Sequence, residues 1–285
     1  MIMKNFWFSY QNILRRELLK KNYFTFFRKI FGCIYKFVTR FLRHKFSINS
    51  VNLDKIDKKD FSKLSLNNLF INFNCDKGSY FFYGKEKIFS HNYSIFYKKY
   101  LNFLKDKKFK LLELGSHEGK SLASFYFYYP RAIMIGANIN PFQMKYQSKR
   151  ITELFVDVSS EESLTSLSNH LDNELDVIID DASHNLRDII IAFSILFKKL
   201  KKRGIYIRED INQFEVFKNL NPYVNELTPL EILKSIQEKK DFESSFLDEE
   251  TKKYLINNIN DIKIEQGSMI MKKKNISDIV FIFKR

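Results

Sequence analysis

"VIIDDASHNLRDIIIAFSILFKKLKKRGIYIRED", residues 177–210, opens on an apolar run, Val177 to Ile179, that stops on two adjacent acids, Asp180 and Asp181, with His184 three residues beyond the second. Side-by-side carboxylates repel, so a site that keeps both hydrogen-bonds them or gives them a cation. From Leu186 to Leu200 the residues Leu186, Ile189, Ile190, Phe193, Leu196, Phe197 and Leu200 form one helical stripe, and Asn185 with Asp188 three residues on makes a start signal. "GIYIRED" (204–210) is a second apolar run that ends on acids, Glu209 and Asp210. Strand, helix, strand in this order predicts a crossover unit. If its strands are neighbours, their acids meet at the carboxyl edge of a sheet as an all-oxygen site suited to Mg²⁺ or Mn²⁺. His184 would then stand close enough to take a proton from a bound hydroxyl. Blander readings stay open: Asp180 bonded to loop amides, Glu209 and Asp210 as solvated strand-end charges, His184 as a structural residue.

Outward from this unit, "KLLELG" (110–115), "AIMIGA" (132–137) and "ITELFVD" (151–157) are further short apolar strands, each separated by enough chain for a helix. The alternation predicts an α/β fold with a mostly parallel sheet covered on both faces. "DIKIEQ" (261–266) and "DIVFIFKR" (278–285) predict two strands that complete the sheet edge antiparallel. Four of the eight glycines, Gly115, Gly119, Gly136 and Gly204, fall at strand ends or starts here, where the chain must turn or be approached closely. "LLELGSHEGKSL" (111–122) offers Glu113, Gly115 and Gly119 as strand, tight loop and helix start, over which an adenosyl ligand could lie. That spacing alone does not separate a cofactor loop from an unliganded turn.

The 285 residues, 45% of them hydrophobic, suffice for a large core, as one domain or one domain with an appendage. Cys33 and Cys75 form neither a disulfide framework nor a CxxC pair, which suits a reducing cytoplasm. The start reads as no signal peptide, no apolar run is long enough to span a bilayer, and no internal repeat is found. Of the formal +15 charge, +10 lies in the first fifty residues, where eleven Lys and Arg face Glu17 alone. An abundance of Lys, Asn, Ile and Phe throughout suggests an AT-rich genome, so net charge is weak support for a polyanionic partner. Between Tyr23 and Leu42 the residues Phe27, Ile30, Phe31, Ile34, Val38, Phe41 and Leu42 recur at helical spacing, with Lys29, Lys36, Arg40 and Arg43 on another face. We expect a basic amphipathic helical segment over 1–46 with an interruption near Gly32, a polar linker over 47–75 and a catalytic domain over 76–285. The helix could rest on a membrane surface through residues 12–46, pack on the domain or pair with a second subunit.

Taken in order, "GSHEGKSL", "IMIGANINP", "LFVDVSSEESL", residues 177–210 and the terminal strand pair resemble class I S-adenosylmethionine-dependent methyltransferases. More narrowly, DD-x-S-H followed by a helix and a strand ending in Glu-Asp resembles the metal-dependent sugar O-methyltransferases of the macrocin and mycinamicin type, and the related cephalosporin-hydroxylase-like group. "CDKGSYFFYGKEKIFSHNYSIFY" (75–97) is similar to their lead-in segment, which holds Lys77, His91 and Tyr93. The resemblance covers about residues 74 to 285 and implies a Rossmann-like sheet with an antiparallel C-terminal strand. It implies S-adenosylmethionine and Mg²⁺ (or Mn²⁺) as cofactors, with Asp181, Glu209 and Asp210 as metal ligands and His184 as general base. Glu113, Gly115 and Gly119 match the cofactor loop; Asn138, Asp157 and Asp180 complete the expected cofactor contacts. Two departures stand out. Asn138 replaces the strand-end acid that accepts bonds from the ribose, and Ala182 replaces the glycine of DD-G-S-H. The expected activity is methyl transfer to a sugar hydroxyl of a surface glycan or glycosylated metabolite. A non-sugar small molecule or lipid acceptor and a non-catalytic binding relative are the rivals. No nucleic-acid partner is expected, because no amino-methylating tetrapeptide stands where "DDASH" does, and the expected place is the cytoplasm or the inner face of its membrane.

Overall fold

The computed structural model describes residues 14, 18, 23–45, 50–140, 143–172, 174–213, 216, 217, 220, 223 and 225–285. Its elements in chain order are α1 (Tyr23–Lys45), β1 (Val51–Asn52), α2 (Leu66–Asn72), β2 (Tyr80–Tyr83), β3 (Glu86–Phe89), α3 (Ser94–Leu101), β4 (Lys110–Leu114), α4 (Lys120–Tyr128), β5 (Ile133–Asn138), β6 (Tyr146–Gln147) and β7 (Ile151–Phe155). They continue through α5 (Glu161–His170), β8 (Leu175–Asp180), α6 (Leu186–Leu196), β9 (Leu200–Arg208), α7 (Pro229–Gln237), α8 (Glu249–Asn258), β10 (Ile259–Gln266), β11 (Ile270–Met271), β12 (Lys274–Asn275) and β13 (Asp278–Lys284).

Seven strands form one sheet in the order β10-β13-β9-β8-β4-β5-β7. From β9 to β7 the strands are parallel; β13 runs antiparallel between β9 and β10. Alternation along each strand sends side chains to two cores. Leu111, Val177, Ile179, Ile205 and Phe281 join the face covered by α2, α3 and α4, while Leu112, Ile178, Tyr206 and Val280 join the face covered by α5, α6, α7 and α8. Successive strands step outward from β4 through β5 to β7, then restart on the other side of β4 with β8 and β9. The order therefore reverses between β4 and β8, and in such sheets the ligand crevice lies outside the carboxyl ends at that switch point. Both motifs singled out in the sequence, 111–122 and 177–184, leave the sheet there.

Three expectations change. α6 stops at Leu196, and a 3-10 turn brings the chain into β9 at Leu200, because Leu200 pairs with Leu175 and is buried as a strand residue. Residues 50–75, expected as linker, are built into the domain: Leu53, Leu66, Leu69, Phe70, Phe73 and Cys75 are buried, and Ser65 caps α2 through the Asn68 amide. No break occurs at Gly32, where a side chain would meet nothing within 4 Å, so α1 runs unbroken for 23 residues. Tyr23, Phe24, Phe27, Phe31, Ile34, Tyr35, Val38 and Leu42 on it are exposed. Residues 46–49, like most of those before Tyr23, lie outside the described residues. Among the described residues no helix is long and apolar enough to cross a membrane.

Candidate active site

Gly115 ends β4 with φ +80°, and a Cβ there would fall 2.1 Å from the Asp181 carbonyl oxygen. The missing side chain lets the β4 loop close on the β8 loop. The closure is tied by the backbone bond from the Asp181 amide to the Leu114 carbonyl, the Gly115 amide bonds the Ala137 carbonyl on β5, and Gly119, also at positive φ, caps the start of α4. Two clefts flank the loop. One, of about 410 Å³, is lined by Asn138, Asp157, Ala182 and Asp188 among others; the second, of about 320 Å³, by Lys77, Phe81, Glu113, Lys120 and Ser121. Gly115, His117 and Asp181 line both.

In the first cleft the Asn138 amide nitrogen donates to the His117 carbonyl and to Gln143 Oε1, at 3.3 and 3.1 Å, leaving its one acceptor oxygen outside that pair of bonds. Asp157 accepts from the Ser159 amide and hydroxyl. Ala182 has no positive φ, so the missing glycine costs nothing in backbone strain. In the second cleft Glu113 is buried. Burial pushes its carboxyl up to about 7, against the opposing pull of Lys77, 3.8 Å away, and of a 2.6 Å bond from the Ser121 hydroxyl.

Asp181, His184 and Asp210 each offer a ligand atom within 4.8 Å of the others. Asp210 sits just past β9 at φ 53°. Tyr93 donates to its Oδ1 at 2.5 Å, Gln213 to its Oδ2 at 2.8 Å, and His91 Nδ1 lies 3.1 Å from Oδ1. Burial would raise this carboxyl, but His91 and Tyr93 hold it down to about 2. The same contact raises His91, outweighing its own burial. Two carboxylates fit a hard divalent cation; the imidazole suits Mn²⁺ better than Mg²⁺.

Glu209 and Asp180 do not join this cluster. Glu209 accepts from Lys77 at 2.5 Å and from the Tyr97 hydroxyl, on the α3 side of the sheet. Asp180 is 2% exposed and turned inward: Arg208 Nη1 donates to its Oδ1 at 2.9 Å and Tyr206 to its Oδ2 at 2.8 Å. Lys77 also donates to Asp181 Oδ2 at 2.6 Å. Burial would lower Lys77, but Asp181, Glu209 and Glu113 keep it charged, well above the usual lysine range.

Sequence reading missed the inner partners Tyr97, Tyr206 and Arg208. The signal for Arg208 was present: a charge inside the apolar run "IYIR" is buried in any sheet core, and a buried charge needs a partner. For Lys77, His91 and Tyr93 the motif was visible but their acid partners were not, because these lie more than a hundred residues away in sequence.

Sheet order, inserted antiparallel strand and glycine loop at the switch point are those of a Rossmann-like methyltransferase fold. A solved structure of the MycE methyltransferase from the mycinamycin biosynthetic pathway, in complex with Mg and SAH, superposes with a TM-score of 0.57 at 20% identity, over 78% of this chain and 55% of that one. In sequence the chain is similar to the 8-demethyl-8-alpha-L-rhamnosyl tetracenomycin-C 2'-O-methyltransferase of Streptomyces olivaceus, 27% identical over 136 residues, and to the L-olivosyl-oleandolide 3-O-methyltransferase of Streptomyces antibioticus, 26% identical over 127. The first alignment takes in 45% of this chain and 35% of the relative; the second, 42% and 32%. No family model matches the chain.

Proposed function

We propose that this chain transfers a methyl group from S-adenosylmethionine to a sugar hydroxyl, with a divalent cation at the site. One observation carries the proposal: Asp181 lines both clefts around the glycine loop and also belongs to the acid–imidazole cluster, so cofactor pocket and acid cluster share a wall. The cofactor supplies an electrophilic methyl on a sulfonium, and the cation, held by Asp181 and Asp210, would lower the pKa of an acceptor hydroxyl. The chain's residues do the positioning. Asn138 and Asp157 would hold the adenosine half, Gly115 and Gly119 would let the protein backbone approach it closely, and Glu113 would receive the ammonium of the amino-acid half. Asp180 holds the frame instead of the ligand, and Glu209 with Lys77 sets the charge of the inner wall. His184 meets the acceptor oxygen.

The sugar acceptor draws support from the similarity to enzymes whose names specify a rhamnosyl and an olivosyl hydroxyl; a glycan or glycosylated metabolite fits the reading. α1 would seat the enzyme on the inner membrane face, its apolar stripe in the interface and its basic residues toward anionic headgroups.

Isotope transfer from labelled S-adenosylmethionine to a panel of rhamnosides and other deoxyhexosides, with and without chelator, tests the reading. Chelator-sensitive methylation of at least one sugar is expected. Transfer that ignores chelator removes the cation, and a calorimetric titration with no cofactor binding removes the reading as a whole.

A further inference from the structure

Two small hairpins stand beside the acid cluster at the carboxyl edge of the sheet, and their outer side chains take no part in the site described above. The β2–β3 hairpin is framed by Lys77 and His91, which reach Asp181 at 2.6 Å and Asp210 at 3.1 Å. The β11–β12 hairpin leaves the sheet between β10 and β13. Asn212, two residues past Asp210, ties it to the same end through a 3.0 Å bond from its side-chain amide to the Asn275 carbonyl. Ser268 joins the two hairpins: its amide donates to the His91 carbonyl at 3.0 Å and its hydroxyl to the Ser90 carbonyl at 2.6 Å. Phe89 and Ile270 flank that junction, 76% and 70% exposed, and Phe82 and Tyr83 on β2 are exposed as well. Scattered apolar side chains in water are ordinary, but several grouped at the mouth of a site mark a binding surface.

The same hairpins carry five lysines, Lys85, Lys87, Lys272, Lys273 and Lys274, against Glu86 alone. Lys272 and Lys273 make the two-residue turn of β11–β12 at φ 48° and 65°. A turn with both central residues at positive φ is normally given to Asn and Gly, and strain of this kind persists where the position serves something else. Here it holds charge at the rim. Cations and rings alternate along it: Lys87 lies 3.9 Å from the centroid of the Tyr80 ring and 5.5 Å from that of Phe89, and Lys272 lies 5.4 Å from that of Phe217.

We propose that this rim binds the carrier of the acceptor sugar, and that the carrier is a lipid joined to the sugar through phosphate. The lysines meet the phosphate; Phe89, Ile270 and their neighbours meet the hydrocarbon. A neutral aglycone would leave the lysines without a counter-charge, and a bare sugar phosphate would leave the apolar side chains in water. The phosphate belongs at the rim and not deeper, because Asp181 and Asp210 would repel it there. Side chains that stand three-quarters out in water suit a chain lying along a surface better than a base held in a slot. The sugar in this proposal rests on the methyltransferase reading; the lipid phosphate rests on the rim alone.

Dodecyl phosphate, kept below the concentration at which it forms micelles, tests the rim without sugar or cofactor. Calorimetric titration of the full chain should show binding at least about tenfold tighter than that of inorganic phosphate or of neutral dodecyl maltoside. Lys273→Glu with Lys274→Glu should weaken it by about tenfold or more, and Phe89→Ser with Ile270→Ser by a similar factor. All four positions are exposed, and melting curves check that the variants stay folded. For a sugar that turns over, the dodecyl-phosphate-linked form should show a lower KM than the methyl glycoside, and both double variants should raise it. Absence of dodecyl phosphate binding, or binding that ignores both double variants, overturns the proposal. A lower KM for a thymidine diphosphate sugar than for its lipid-linked form overturns the lipid. Flotation on anionic vesicles that both double variants abolish, with no preference for the lipid-linked sugar, would make the rim a membrane-docking surface and overturn the acceptor assignment. Absence of cofactor binding alongside bound dodecyl phosphate would sink the methyltransferase reading and leave the rim standing.

Discussion

At Asp210 and Glu113 burial meets opposite surroundings, and the two residues respond to pH in opposite directions. Asp210 titrates at about 2 in the fold against 3.8 unfolded, so its stabilising contribution is present above about pH 4 and is lost as pH falls toward 2. Linkage makes this on the order of 2 kcal/mol. Glu113 titrates at about 7 against 4.5, so its fold-stabilising form is the protonated one, complete below about 4.5 and lost as pH rises through 7. Replacing Glu113 by Gln should therefore raise the melting midpoint at pH 8, leave it nearly unchanged at pH 4, and weaken cofactor binding. Melting curves across pH check the sign; a midpoint lowered at pH 8 would contradict it. Gly115→Ala faces a harder conflict, since its new methyl would lie 2.1 Å from the Asp181 carbonyl at a left-handed φ. We expect a cost of roughly 2 kcal/mol or more and loss of cofactor binding by calorimetry. Unaltered affinity would show that the two loops need not touch. At this scale the sequence revealed which residue types collect at the switch point, because strand-end acids and glycines stand out in an apolar run. It could not tell Asp180 from Asp181. Adjacent residues leaving a strand point to opposite sides, and which side faces the ligand depends on the placement of Arg208 and Tyr206 on the next strand.

Helices and strands divide by how much local pattern they carry. The five parallel strands and α6 were legible because their apolar residues follow one period over enough residues. α2, with seven residues, is shorter than the window in which a helical period can be counted, and its approach is crowded with Lys and Asp, so 50–75 read as linker although its apolar side chains are buried. α7 carries a capping box, with Thr228 accepting from the Glu231 amide and Glu231 from the Thr228 amide. Thr228→Ala should cost about 1 kcal/mol in urea denaturation with no change in slope. For α1 the measurement is flotation of the full chain with vesicles. Binding to vesicles with anionic lipid at low salt is expected, with release at high salt or on changing Phe24, Phe27 and Phe31 to Asp. A dimer in sedimentation with no flotation would assign the apolar stripe to a second copy.

Across the whole molecule, the proposed cofactor pocket and the acid cluster share Asp181 as a wall, so on that reading their binding should be coupled. Mg²⁺ with S-adenosylhomocysteine should raise the melting midpoint by more than the sum of their separate shifts, since each ligand stabilises the state it binds. Additive shifts would place them in independent sites. Chain order also bears on how this sheet is completed. β13 comes after both of its partners, yet it lies between them, so β9 and β10 must wait without pairing until β13 inserts. Until then two strands present unpaired edges, the kind of surface that recruits other chains. During synthesis the parallel part of the sheet, from β7 to β9, can therefore assemble while the other part stays open. A chain interrupted before residue 278 would carry the parallel strands but leave β9 and β10 unpaired, and a chaperone that captures growing chains would be expected to hold this one until β13 is made.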